Sequence, residues 1–254
     1  RIFMLDEHIN RLIHSAIAMH FTDIPSRSFI INAIVTTLLT NNMLDNCHIR
    51  LTLTRGPKVT SSMNPKFNIF GCNLLVVPEW KKVEDITTYN NQLGISLITS
   101  CIRRNSPQCV DSKIHHNNLI NNILPKIQAN NANAADALML DLEGFVSETN
   151  ATNIFMVKDG VVYTPFADSC LPGITRQTVI KLVSKVLEIP MLEKRLSLTE
   201  FYTADEVFTT GTMGEITPVI SIDNRMIRYL DDDNKNNQIT KLIQFEYKKL
   251  TESL

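Results

Sequence analysis

The sequence predicts a mixed α/β protein of two domains, and three observations carry that prediction. Stretches with apolar residues at helical spacing alternate with short runs of period two or of continuous aliphatic residues, the pattern of strands. Polar, poorly periodic residues at 81–93 (KKVEDITTYNNQL) separate a shorter first part from a longer second one. The length, 254 residues, suits one large or two modest domains and is ample for a buried core. The expected division is a small α/β domain over 1–80, a linker over 81–93 and a large domain over 94–254.

In the first part, residues 6–20 place Ile9, Leu12, Ile13, Ala16 and Met19 on one helical face. A second helix is expected from about Ser26 or Ser28 to Leu39, with Phe29, Ile30, Ala33, Ile34 and Leu38 buried. HIRLTLT (48–54) alternates, with Ile49, Leu51 and Leu53 on one side and Arg50, Thr52 and Thr54 on the other. NLLVVP (73–78) reads as a buried strand. In the second part, 94–100 is strand-like and Arg103–Ser112 a loop. Residues 117–130 read as a helix that Pro125 could kink or stop. Strands follow at 137–141 and 153–165, the latter a hairpin turning at Asp159-Gly160. A helix over Gly173–Leu187, strands at Asp205–Thr210 and 216–223, and a helix from about Asn236 to Leu250 complete the chain.

The balance of charge excludes some classes of partner. The net charge is −1 and no basic stripe is interleaved with aromatics, so nucleic acid is not an expected ligand. No apolar run approaches the roughly 20 residues of a membrane span. The five cysteines are scattered and lack CxxC spacing, which suggests free thiols, a reducing cytoplasmic setting and no metal site. Asn150-Ala151-Thr152 matches a glycosylation acceptor by chance. The chain begins at Arg1 without a methionine or a signal-peptide pattern, so the native start is expected upstream.

The informative stretch is 141–176, DLEGFVSETNATNIFMVKDGVVYTPFADSCLPGITR. Glu148 sits in a short β-like run, and Leu171-Pro172-Gly173-Ile174-Thr175-Arg176 opens an amphipathic helix. A carboxylate facing a pyridine nitrogen keeps that nitrogen protonated. The first N–H groups of a helix are unpaired and attract phosphate, Gly173 permits close approach, and the Thr175 hydroxyl adds a donor. Gly211-Thr212-Met213 offers a second set of amides and a hydroxyl, and Arg11 is a candidate clamp. Each has a plain alternative: a solvated strand-end glutamate, ordinary helix capping, a common turn, a surface arginine. Together they suit a ligand with a basic ring at one end and a phosphate at the other, such as pyridoxal phosphate.

In order and at acceptable spacing, Glu148, Asn153-Ile154-Phe155, Thr164-Pro165 and the Leu-Pro-Gly-Ile-Thr-Arg run resemble the signature of the class IV aminotransferases, the fold-type IV pyridoxal phosphate enzymes. EHINRL (7–12) and ADEVFTTGTMGEITPV (204–219) extend the resemblance over nearly the whole chain, most closely to the branched-chain and D-amino-acid aminotransferase branch. Asn150 stands where the family usually has a small residue. The resemblance implies Glu148 under the ring nitrogen; Arg11, Gly173, Ile174, Thr175 and Thr212 at the phosphate; Thr212 and Met213 near the substrate carboxylate; and Arg50 on the substrate side. It further implies a homodimer, and two or three strands ahead of the EHINRL helix that this chain lacks.

The family's cofactor-linking lysine precedes the glutamate, followed closely by a tyrosine. Here the region reads DSKIHHNNLINN (111–122). Aligned without a gap on Asn121-Asn122-Ile123-Leu124, His115 stands at the lysine's place and Leu119 at the tyrosine's. With a small insertion Lys113 takes that place. Two residues along a strand point to the same face about 6.6 Å apart, a gap that lysine's stem partly covers. Lys113 is the expected Schiff-base lysine, the nucleophile and proton carrier. Histidines there could move a proton but cannot form a stable imine. The expected reaction is amino transfer between an amino acid and a 2-oxo acid. A non-catalytic relative that binds ligand or partner, and a lyase of the aminodeoxychorismate type, stay open.

Overall fold

The computed structural model describes residues 1–81, 89–227 and 238–252. It divides into two compact units, residues 2–86 and residues 87–254, the latter joined by Arg1. Of the expected linker, 82–88 lie outside the described residues, as do 236–237 at the expected start of the last helix.

The smaller unit has two helices, α1 (Leu5–Ala18) and α2 (Arg27–Thr40), and an antiparallel pair, β1 (Cys47–Thr54) and β2 (Asn73–Trp80). The Ser26 hydroxyl accepts from Phe29 N at 3.2 Å and so caps α2. Ile9, Ile30 and Ile34 form the buried centre, with Ile49, Leu51, Leu74 and Val76 of the strands packed against it. That packing uses one face of the pair. β2 therefore alternates in burial instead of being buried throughout as expected: Leu75 and Val77, on the opposite face, are 48% and 44% exposed. Gly56 ends β1 at φ 79°, and a Cβ there would lie 1.9 Å from the Gly71 carbonyl oxygen. Backbone cannot yield as a side chain can. Gly56→Ala is expected to destabilise this unit by about 2–4 kcal/mol, measurable as a lower urea midpoint; an unchanged midpoint would contradict the close approach.

The larger unit is built on one sheet. Its strands are β3 (Ile95–Thr99), β4 (Asp136–Leu140), β5 (Val146–Thr149), β6 (Asn153–Lys158), β7 (Val161–Thr164), β8 (Met191–Glu193), β9 (Glu206–Gly211), β10 (Glu215–Ile222) and β11 (Arg225–Met226). Their order is β5-β4-β3-β10-β9-β6-β7-β8, with β11 paired to β10. The pairs β3–β4, β3–β10 and β7–β8 are parallel, the rest antiparallel. Parallel neighbours need a long crossover. α3 (Ile120–Asn131) supplies it between β3 and β4, and α4 (Ile174–Lys181) between β7 and β8. The hairpin turns carry the left-handed backbone expected of two-residue loops: Asp159 and Gly160 at φ 50° and 76°, Asp223 and Asn224 at 50° and 60°.

Two helices differ from expectation. Pro125 lies inside α3 and does not stop it, although as the sixth residue of the helix it forgoes an amide bond to the Asn121 carbonyl. The helix expected over 173–187 is α-helical through Lys181 and then a π turn, Leu182–Val186. A short helix α5 (Leu198–Tyr202) carries a Ser197/Glu200 capping box. The last helix, α6 (Gln238–Glu252), is capped from the sheet: the buried Glu206 carboxylate accepts Ile239 N at 3.0 Å and Thr240 N at 2.8 Å, and the Thr240 hydroxyl at 2.6 Å. The five cysteines are free thiols. Among the described residues no helix is long and apolar enough to cross a membrane.

Candidate active site

Glu148 lies on β5 opposite Met139 and is 5% exposed. A carboxylate this buried needs partners. Arg104 donates Nε to its Oε1 at 2.6 Å, and Asn153 donates Nδ2 to its Oε2 at 3.1 Å. The Leu171 amide donates as well. Burial is the larger effect and pushes Glu148 up to about 7, against the pull of Arg104 and the Leu171 amide. Arg104 is itself buried and extends the network to the start of α3, where its Nη1 donates to Asn121 Oδ1 at 2.8 Å and Asn122 Oδ1 at 3.3 Å. Sequence reasoning missed Arg104. Glu148 is thus ionisable near neutrality and gains most from a cationic neighbour.

Asn153, the first residue of β6, ties this carboxylate to the loop entering α4. The same Nδ2 donates to the Leu171 carbonyl at 2.8 Å, and its Oδ1 stands 2.2 Å from where a Cβ on Gly173 would lie. Only glycine fits beneath that amide. α4 then starts at Ile174 without a side-chain cap, so its first N–H groups and dipole are left for an anion. Thr175 is buried in that first turn. Arg176 turns inward, donating Nη2 to the Pro165 carbonyl at 2.9 Å and pairing with Glu193, and so pins α4 to the β7–β8 end of the sheet. In the β6–β9 register Asn153 faces Thr210, which brings the end of β9 beside the same junction. There Gly211 packs closely on Thr152, and Thr212 and Met213 follow, both exposed. Thr210 Oγ1 is buried without a hydrogen-bond partner.

The larger unit therefore gathers Glu148, Gly173, Ile174 and Thr175 around Asn153, with the loop bearing Thr212 and Met213 at the end of the adjoining strand. Arg11 and Arg50 belong to the smaller unit. Arg11, on α1, has no hydrogen-bond or ion-pair partner among the described residues, and burial lowers its pKa. The neighbouring His8 is lowered to about 4, by burial first and Arg11 second. A desolvated, unpaired guanidinium is suited to an anion. Arg50, opposite Val77 on β1, is exposed.

Lys113 lies in a turn within the loop that joins β3 to α3, not on a strand. Its N–H donates to Asp111 Oδ1 at 2.9 Å, and Ile114 N donates to the Asp111 carbonyl at 3.2 Å. Burial alternates from Ser112 to His116, so that Lys113 and His115 are both exposed, Ser112 is buried, and Ile114 and His116 are half-buried. Lysine and imidazole are thus both open to solvent. Asn150 has a structural role, since its Oδ1 accepts Ala137 N at 2.6 Å and its Nδ2 donates to Asp136 at 3.1 Å. Buried and so engaged, it is no glycosylation acceptor in the folded chain.

The arrangement joins a strand carboxylate to a glycine-led helix start. The family model described as amino-transferase class IV matches residues 1–222, and the chain belongs to that family. It is 58% identical over 99% of its length to branched-chain-amino-acid aminotransferase-like protein 1 of Arabidopsis thaliana, of which it spans 44%. It is 40% identical over 97% of its length to a putative branched-chain-amino-acid aminotransferase of Methanocaldococcus jannaschii, spanning 82% of it. Among solved structures it resembles the Escherichia coli branched-chain amino acid aminotransferase, with a TM-score of 0.87, 31% identity and coverage of 98% of this chain and 79% of that one. It also resembles a second branched-chain amino acid aminotransferase, solved in complex with N-(5'-phosphopyridoxyl)-L-glutamate, with a TM-score of 0.85, 31% identity and coverage of 97% and 78%.

Proposed function

We propose that the chain binds pyridoxal phosphate and transfers an amino group between an amino acid, of branched-chain or D-amino acid type, and a 2-oxo acid, with Lys113 as the amine that reacts with the cofactor. The observation that carries this reading is the joint at Asn153, whose single amide fixes the buried Glu148 and the loop into α4 together. A ring-nitrogen partner and a phosphate cradle are thereby set in one rigid relation. The residues fit the group, since α4 has no side-chain cap to compete with phosphate and Gly173 admits the Asn153 amide that also holds Glu148. Bound pyridoxal phosphate supplies an electron sink for a carbanion beside the amino nitrogen. Glu148 holds the proton on the ring nitrogen, being ionised when a cation faces it. The Ile174 and Thr175 amides and the Thr175 hydroxyl hold the phosphate, joined by Thr212, and Met213 serves the substrate. Lys113 carries the α-proton.

A homodimer and a cytoplasmic setting belong to the same proposal. α3 leaves Ile120, Ile123, Leu124 and Ile127 exposed on one face, Ile120 to 67%, which suits cover by a second copy. A second reading, cofactor held without amino transfer, is favoured by His115, which stands exposed at the place that an ungapped alignment gives the lysine.

The full chain mixed with pyridoxal phosphate is expected to show a visible absorption band that borohydride removes, and peptide mapping should then place a pyridoxyl group on Lys113. Cofactor retained with no adduct would establish the second reading, and His115→Lys would then be expected to create the adduct. Failure to bind the cofactor at all would sink both readings.

A further inference from the structure

We propose that helix α6 is a working part of the phosphate cradle and that Tyr247 is a positioning residue, its hydroxyl fixing the Thr175 side chain for the ligand's phosphate. α6 is attached to each element of the larger unit that bears a cradle group. Its N-terminus is seated on the Glu206 carboxylate of β9, the strand that leads into Thr212. Gln244 Nε2 donates to the Ile216 carbonyl of β10, on the far side of the same loop, and to the Asn91 carbonyl, both at 2.9 Å. Tyr247, 4% exposed, shares a hydrogen bond with Thr175 in the first turn of α4. The helix therefore braces the two arms, α4 and the 211–214 loop, against each other.

The chemistry of the contact follows from burial. Tyr247 is pushed up to about 12, by burial above all, so its hydroxyl remains protonated and neutral across the physiological range. A neutral phenol beside Thr175 orients that hydroxyl without repelling a phosphate dianion, as a phenolate or carboxylate would. A hydroxyl held in place spends less entropy on binding than a free rotor.

This inference rests on the pyridoxal phosphate reading, and its test separates the two. Tyr247→Phe keeps the ring and removes the hydroxyl. In the full chain, titrated with pyridoxal phosphate and with unphosphorylated pyridoxal, the variant is expected to bind the phosphate ester about tenfold more weakly and pyridoxal as the parent does. In a Thr175→Val background the same change is expected to have no further effect on the phosphate ester. Unchanged phosphate-ester binding, or an equal loss for both ligands, would overturn the positioning role. A parent protein that binds the two ligands alike would overturn the site reading itself and this inference with it.

Discussion

Arg104→Met is expected to cost about 3–5 kcal/mol at alkaline pH, because it strands a buried carboxylate. Arg104 is 7% exposed and its Nε lies 2.6 Å from Glu148 Oε1. Methionine fills much of the same volume, so the loss is electrostatic more than steric. Glu148 keeps Asn153 and the Leu171 amide, which are dipoles and do not offset a full charge. The sign of the pH dependence follows from linkage. In the parent protein burial already holds the Glu148 pKa at about 7, above the value near 4.5 of an unfolded chain. Removing the guanidinium raises the folded value further. A raised folded pKa means that the native state binds the extra proton, so stability falls as pH climbs from the unfolded to the folded value. Below about pH 7 the carboxyl is protonated in both proteins, and the variant loses only packing and the contacts to Asn121 and Asn122. Above that the parent ionises against Arg104 while the variant resists, and the gap widens. Urea unfolding at pH 6 and pH 8.5 measures it, and a deficit that stays flat or shrinks with pH would contradict the pairing. Adding Glu148→Gln should remove most of the pH dependence.

The parts of the site that sequence pattern exposed are those whose chemistry is local. A glycine at a helix start and the Asp159-Gly160 turn announce themselves because a few neighbouring residues determine the backbone there. Glu148 was legible through its spacing to the Leu-Pro-Gly-Ile-Thr-Arg run. Arg104 was not: in sequence it is the second of two adjacent arginines in a polar loop, and its burial depends on Glu148, 44 residues away, and on the start of α3. The role of Tyr247 was hidden for the same reason, since its partner Thr175 lies on a different helix. The half-exposure of β2 was misread because an aliphatic run does not reveal whether one face or both are covered. The π turn after Lys181 has no composition of its own, for Leu182–Val186 continue an apolar pattern that an α-helix would equally satisfy. Lys113 and His115 show a further limit: pattern alone cannot choose between two exposed side chains two residues apart.

Gly173→Ala is expected to destabilise the protein by about 2–4 kcal/mol and to weaken pyridoxal phosphate binding by about 10- to 100-fold. The cause is steric and lies in one contact. Gly173 has φ −61° and ψ 142°, which alanine adopts without strain, unlike the left-handed Gly56. The new Cβ would stand 2.2 Å from Asn153 Oδ1, so that amide must move. It cannot move freely, because Nδ2 of the same group holds Glu148 at 3.1 Å and the Leu171 carbonyl at 2.8 Å. One methyl group therefore disturbs Glu148 and the entry to α4, the proposed ring-nitrogen partner and phosphate cradle, together. Asn153→Ser opens the space but forfeits both amide bonds, and is expected to be destabilising by itself. Combined, the two changes should cost less than their sum by roughly 1 kcal/mol or more, since the second removes the atom that the first collides with. A double-mutant cycle by thermal unfolding, with pyridoxal phosphate titrated into each variant, measures that coupling. Strict additivity would mean that Gly173 is required for some reason other than Asn153, and the shared joint would no longer explain why carboxylate and cradle stand together.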